Sequence, residues 1–469
     1  MNIKEKFEVY KRKRLIDYLK SVKPERLTRL SEQSLLKAFK KAARRVPAYN
    51  AILKNKKIDY RKIKNIRDFK QYIPFFDKNS IFPHFSIHEL CLKGSINSLK
   101  SILSSSGFSV VYSFGINTRK NYKSISKSID TSLEYLFQIS KKNTLMLNCI
   151  PMGVKVHTSI PLAETSVRSD IALAIIKKFS DYYDQIVIVG DPYFIKKIAE
   201  EGLEQNIDWE KFNASFVFGE DWFSESFHAY IEKITNINTN SNEGRKVIST
   251  MGIAELDLNL FHDSVYSVQI RKYAQRNDKF KKELFGAEGA ACPVLFHYFP
   301  HRTYMETNNL GELVFSMLSP NLLIPLIRYN SKDLGKVILY NEMERILIKY
   351  HLESLIPDIK LPFVSVGGRS ESNIVYKDTR ICLEDIKQGL FENFEVAKST
   401  TGYFRLSYVK DPIIEVQLKK GISLTKNLVE LFSEFANKYL SVSLPVKLYV
   451  YEKFPYSMGL DYESKFKFI

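Results

Sequence analysis

The segment DQIVIVGDPYFIKKIAEEG, residues 184–202, constrains this chain more than any other. Four consecutive apolar residues, Ile186 to Val189, are too few for a helix and leave no polar face, so they read as a strand buried on both sides. Asp191 then offers a side-chain oxygen to cap a helix, Pro192 suits the first turn, and Gly202 suits the end. A strand covered on both faces and followed at once by a helix is the repeating unit of a parallel sheet. Short apolar runs and helical segments alternate from about 100 to 260, and KVISTMGIAELDL reads as a further strand and turn. The expected class is therefore α/β.

The flanks differ from this core. Residues 1–60 read as helices: Leu35, Leu36, Phe39, Ala42, Ala43 and Val46 recur at helical spacing until Pro47 stops the run. The segment ending IPFFDKNSIF passes through Pro74 to Lys78 and opens another short helix. Alternation in LGELVFSML and GKVILYNEMERILIKY predicts antiparallel strands across 310–350. The Gly-Gly pair of PFVSVGGRSES is a flexible joint between strands, and a small mixed α+β unit follows it. With 469 residues, one small core is too little for the chain.

Composition narrows the partners. A formal charge of +18 draws anions of any kind. The lysines are spread over the whole length rather than gathered on one arm or stripe, so specific nucleic-acid binding is not expected. Cys91, Cys149, Cys292 and Cys382 lack CxxC spacing and read as reduced thiols of a cytoplasmic protein. No apolar run approaches the roughly 18 residues that a bilayer requires.

Several separated pieces, taken in order, resemble the phenylacetate-CoA ligase branch of the adenylate-forming superfamily, including its CapK-like members. AFKKAARRVPAYNAIL and IRDFKQYIPFFDK are similar to the N-terminal pieces of that branch. FGEDWFSES, residues 218–226, resembles its "GAEPWSE" turn, and STMGIAELDL its "YGxTE" segment. GELVFSMLSPNLLIPLIRYNSKDLG, residues 311–335, matches "GELVxTxLxxxxxPLIRYxTGDL" at Gly311, Glu312, Leu313, Val314, Pro325 to Tyr329, Asp333 and Leu334. GGRSESNIVY resembles the "GRxDDxI" joint, and the ending ESKFKFI resembles "GKFR".

The resemblance implies a large multi-sheet N-terminal domain (1–367), a hinge (368–371) and a small mobile α+β C-terminal domain (372–469). It implies an AMP-forming acid ligase using ATP and Mg²⁺. Such an enzyme makes an acyl-adenylate from a small carboxylic acid and passes the acyl group to CoA, a carrier protein, an amine or a sugar. Ser105, Ser106, Gly107 and Ser109 fall on the phosphate loop, and Gly219, Glu220 and Gly252 on segments that bind nucleotide. Asp333 carries over to the ribose hydroxyls and Arg369 to the nucleotide, with Gly368 and Glu371 at the hinge. Glu255 corresponds to the Mg²⁺-side carboxylate, a hard oxygen donor suited to that ion. Lys465 corresponds to the mobile catalytic lysine, with Lys467 its neighbouring rival. His157 lies in a segment that aligns loosely with the acyl pocket.

The phosphate loop departs from its pattern. Phe108 replaces a hydroxyl residue, and Val110 and Val111 stand where the family has glycine and lysine. β-Branched residues suit the open, positive-φ geometry of a phosphate nest poorly. Arg119 and Lys120 are too far along the chain to substitute for the lysine. Two outcomes fit: an active enzyme with a relaxed loop, or a non-catalytic descendant that binds nucleotide or acyl group and acts through its basic surface on an acidic partner. Other chemistries lack their signatures, for there is no HExxH, GxSxG, GxGxxG or GxxxxGK[ST], and Pro300 separates His297 from His301.

Overall fold

The computed structural model describes residues 3–105, 111–241, 243–286, 289–369, 373–408, 411–455 and 468. Ser106, Gly107, Ser109, Glu371, Lys465 and Lys467 lie outside them.

The parallel sheet predicted from the βα pattern is present. Strands Thr144–Cys149, Gln185–Gly190, Ala214–Phe218 and Val247–Ile253 run side by side and parallel, with the short Leu162–Glu164 at the edge. Helices Ser169–Phe179, Pro192–Glu204 and Glu225–Thr235 make the crossovers, and Arg119–Phe137 precedes the first central strand. From Val247–Ile253 the sheet continues antiparallel through Asp257–His262, Val294–Tyr298, Phe363–Arg369, Tyr329–Ile338, Glu312–Met317 and Thr303–Thr307, making a twelve-stranded sheet with Phe76–Asp77 joined at one side. Asp191 accepts from the Tyr193 and Phe194 amides, as a cap should.

Two local expectations are corrected. Tyr340–Lys349 is a helix and not a strand, because Tyr340, Met343, Ile346 and Leu347 bury one helical face. Gly202 does not end its helix, which runs on to Glu204. Its lack of a side chain serves packing instead: a Cβ there would lie 2.2 Å from the indole of Trp209.

The C-terminal segments form a three-stranded sheet, Thr400–Tyr408, Pro412–Leu418 and Val446–Tyr449, with helices Leu383–Leu390, Phe394–Ser399 and Lys426–Asn437. They seat on the crossover helices through buried groups. Tyr193 packs against Phe391, Tyr403 and Phe468, and Lys196 Nζ donates to the Thr400 carbonyl at 2.7 Å. A Cβ at Gly402 would lie 2.3 Å from the Tyr193 ring, so the two surfaces meet at backbone distance. No described helix is long and apolar enough to cross a membrane.

Candidate active site

One cavity of about 400 Å³ opens at the carboxyl ends of the parallel strands, where open α/β sheets bind ligands. The sheet order explains its place: Gly190, Phe218 and Ser249 are aligned neighbours, and the chain leaves the sheet at or just beyond them. Ser105, Gly219, Glu220, Gly252, Glu255, Asp333, Gly368 and Arg369 all line it. These residues are separated by up to 264 positions (369 − 105) and converge only through the strand pairings.

Each is set by local structure. Gly219 donates its amide to the Gly190 carbonyl at 2.9 Å, and Glu220 takes φ +72° to turn the chain across the cavity rim. Gly252 is a close-approach glycine, since a Cβ would lie 2.5 Å from the Leu258 carbonyl oxygen. Asp333 sits opposite Arg369 in the antiparallel pair, and the guanidinium Nε lies 3.3 Å from its carboxylate. Glu255 accepts from the buried Tyr329 hydroxyl at 2.6 Å. Burial and the Glu255 charge together hold that phenol well above its usual pKa, so it stays a donor.

The sequence reading did not assign a function to Lys78, which follows a capping Asp77 at the start of the helix Lys78–Ile81. Its ammonium donates to Ser105 Oγ at 3.0 Å and faces the cavity. Burial and the neighbouring Arg369 lower its pKa, against the pull of Glu255. Ser105 also closes the neck of the serine hairpin: its amide donates to the Ser113 carbonyl at 3.0 Å and its hydroxyl accepts from the Ser113 amide at 3.1 Å. The family-like lysine missing from the loop thus has a cation beside the loop, supplied from 27 residues upstream. The signal was present in IPFFDK, but nothing local tied it to the serines.

Gly115 was also missed. It lies in the strand Phe114–Thr118 that follows the serine hairpin, and a Cβ there would sit 1.8 Å from the Ala254 carbonyl oxygen and 3.2 Å from the Glu255 Cα. The hairpin and the Glu255 turn are therefore held at backbone contact. Gly115→Ala is expected to part them and lower turnover about 100-fold, since a displacement near 1 Å can cost that much. Steady-state rates alongside a melting curve check this; unchanged rates would sink the idea.

Other residues close the rim nearest the C-terminal unit. Gly368 takes φ +99°, and Glu384 packs against it where a Cβ would fall 2.1 Å from a carboxylate oxygen. Burial raises the Glu384 pKa to about 7 despite the nearby Lys387. Lys387 lies 3.6 Å from Asp221 and 3.9 Å from the ring centre of Phe468, which also lines the cavity.

One expected site residue, His157, is not brought to the cavity, and one matched motif residue, Arg328, has a structural place instead. His157 does not line the cavity and lies against Tyr122, with ring centres 3.9 Å apart. Arg328 of the PLIRY motif is buried against Glu306 and the Lys70 and Ile73 carbonyls, where it ties an N-terminal helix to the sheet.

Among the described residues no cluster of three His, Cys, Asp or Glu side chains could enclose a metal. A Mg²⁺ held by one carboxylate, phosphate oxygens and water needs no such cluster. Glu255 fits that arrangement, because Tyr329 occupies only its Oε1 oxygen.

Solved structures share this fold. The structure of 2-hydroxyisobutyryl-CoA ligase in the postadenylation state, in complex with R3-HIB-AMP, matches over 95% of this chain and 89% of its own, with a TM-score of 0.67 and 12% identity. The same ligase with 2-HIB-AMP and CoA in the thioesterification state matches over 93% and 89%, with a TM-score of 0.54 and 13% identity. Neither a family model nor a curated protein matches the sequence. The chain has the adenylate-forming enzyme fold, as the sequence resemblance implied.

Proposed function

We propose that this protein activates a carboxylic acid with ATP as an acyl-adenylate and then transfers the acyl group, in the manner of the phenylacetate-CoA ligase and CapK-like branch. The observation that carries this reading is the convergence of Ser105, Gly219, Glu220, Gly252, Glu255, Asp333 and Arg369 on one cavity, with Lys78 beside the serine hairpin. The carboxylate oxygen bonds to the α-phosphorus as the bond to the bridging oxygen breaks, and pyrophosphate leaves with the electron pair. Two anions must meet for this, so fixed cations and N–H donors supply most of the catalysis.

In this reading Asp333 accepts from both ribose hydroxyls, which releases Arg369 toward phosphate. Lys78 holds its proton at Nζ beside the leaving phosphates, and Ser105 to Ser109 line them. Mg²⁺, held through Glu255, would screen the phosphate charge, while the Tyr329 hydroxyl keeps that carboxylate oriented. Lys465 is a further cation in this reading, and Phe468, three residues on, lines the same cavity. The domain division at 368–371 and the rotation of residues 372–469 for a second, acceptor-binding step belong to the same reading. CoA, a carrier protein, an amine or a sugar is the acceptor. The four cysteines are unpaired, which fits a cytoplasmic setting.

Carboxylate-dependent ATP–pyrophosphate exchange over a broad acid panel tests this. Exchange with at least one acid, abolished by Asp333→Ala, is the expected result. Absence of exchange with every acid, while ATP still raises the melting temperature, would replace it with the non-catalytic nucleotide-binding reading.

A further inference from the structure

The cavity has two chemically different halves. Its charged side chains lie on the 77–78, 220–221, 255, 332–333, 369 and 384–387 segments, around the strand ends and the C-terminal unit. The other half runs down between the helix Arg119–Phe137 and the sheet. Val189, Val217 and Ile248 are directly aligned across three parallel strands and form one wall, while Leu133, Leu136 and Phe137 face them. Among the described residues no charged side chain lines this half. Thr250 lies two residues beyond Ile248, so the slot reaches about 6–7 Å beneath the Thr250 level at the strand rise per residue.

One polar side chain stands out against this wall. His262 pairs directly with Thr250 on the neighbouring antiparallel strand, and so shares the sheet face of Thr250 and Ile248. It lines the cavity yet is only 3% exposed. Its Nδ1 is buried without a hydrogen-bond partner, and its ring stacks on Phe299 with centres 4.9 Å apart. The neighbouring His297 also has a buried Nδ1 without a partner, but its Nε2 lies 3.0 Å from the Ser264 hydroxyl and it does not line the cavity, so of the two only His262 is in reach of a ligand there. Burial lowers the His262 pKa to about 4, so the ring is neutral at pH 7 and offers one donor and one acceptor. Buried polar groups are ordinarily satisfied, and a group of the bound ligand is the natural partner for one that is not.

We infer that the acid bound here has an uncharged, mainly apolar acyl group carrying one neutral hydrogen-bonding substituent, such as a hydroxyl, that pairs with His262. This rests on the adenylation reading for the chemistry, but not for the binding. A second carboxylate in the slot would meet no cation and lose its hydration, so dicarboxylic acids are excluded. A plain alkyl acid would fill the slot but leave the imidazole unpaired.

The test uses octanoate, 3-hydroxyoctanoate, 8-hydroxyoctanoate and octanedioate as probes of the full-length protein. Binding is read by melting shift in the presence of AMP, and turnover by ATP–pyrophosphate exchange. One of the hydroxy acids is expected to exceed octanoate by about tenfold, the worth of one neutral hydrogen bond. Octanedioate is expected to be weaker than octanoate by on the order of 100-fold. His262→Leu should erase the hydroxy-to-plain preference and His262→Gln should keep it, while Val217→Trp should abolish binding of all four by filling the slot. Equal binding of hydroxy and plain acids, a preference that survives His262→Leu, or octanedioate binding as well as octanoate would overturn the inference. The expected order of melting shifts without exchange would support the pocket and sink the adenylation chemistry. Exchange confined to small polar acids would do the reverse.

Discussion

Replacing Lys78 by Ala is expected to lower ATP–pyrophosphate exchange by about 10²–10³-fold in kcat, the usual cost of removing one preorganised donor from developing charge. The ammonium is held 3.0 Å from Ser105 Oγ at the neck of the serine hairpin, and faces the same cavity as Glu255 and Arg369. Because the segment 104–113, SSSGFSVVYS, contains no lysine or arginine, no neighbour in the loop can take over the charge. Lys78→Arg should recover part of the rate, since its charge is kept while its reach and shape change. The pKa of Lys78 is lowered by burial, so its share of the rate should fade at a lower pH than an exposed lysine's. Exchange that is unchanged in Lys78→Ala would remove this residue from the mechanism. A loss of rate accompanied by a large fall in melting temperature would make its role structural.

The largest stability effect is expected at Arg271. This side chain is fully buried between two carboxylates, with Nη1 2.8 Å from Asp263 and Nε bonded to Glu225. Asp263 also accepts from Ser249 Oγ at 2.8 Å, and Ser249 lines the cavity. The network thus ties helices Glu225–Thr235 and Val265–Arg276 to the strand end that carries the site. Arg271→Leu would leave two buried carboxylates without a counter-charge, a change that costs about 3–5 kcal/mol. Denaturant midpoints measure it. A triple variant, Arg271→Leu with Asp263→Asn and Glu225→Gln, should regain much of the loss, because the uncompensated charge is gone. A midpoint within experimental error of the parent in Arg271→Leu alone would show that the network contributes nothing.

Much of the architecture was legible because it is local. Ile186–Val189 could only be a doubly covered strand, and Asp191 and Pro192 mark the helix start whatever lies beyond. The strand before Glu255 was likewise readable from a short apolar run, and the strands of 310–338 from alternation. Periodicity failed at Tyr340–Lys349, where alternation of apolar residues concealed an equally good helical face. The motif reading named residues that do converge on one cavity, since such motifs keep their order along the chain.

What the sequence by itself determined, then, is the type of most elements and the identity of many residues around one cavity. Only the tertiary structure decided which cation serves the serine hairpin, why position 115 must be glycine, and that His262 faces an apolar slot. Each depends on strand pairing and packing between segments far apart in the chain. A charge gains its role from what lies within a few ångströms and from how much water is excluded, and neither quantity is written in local sequence.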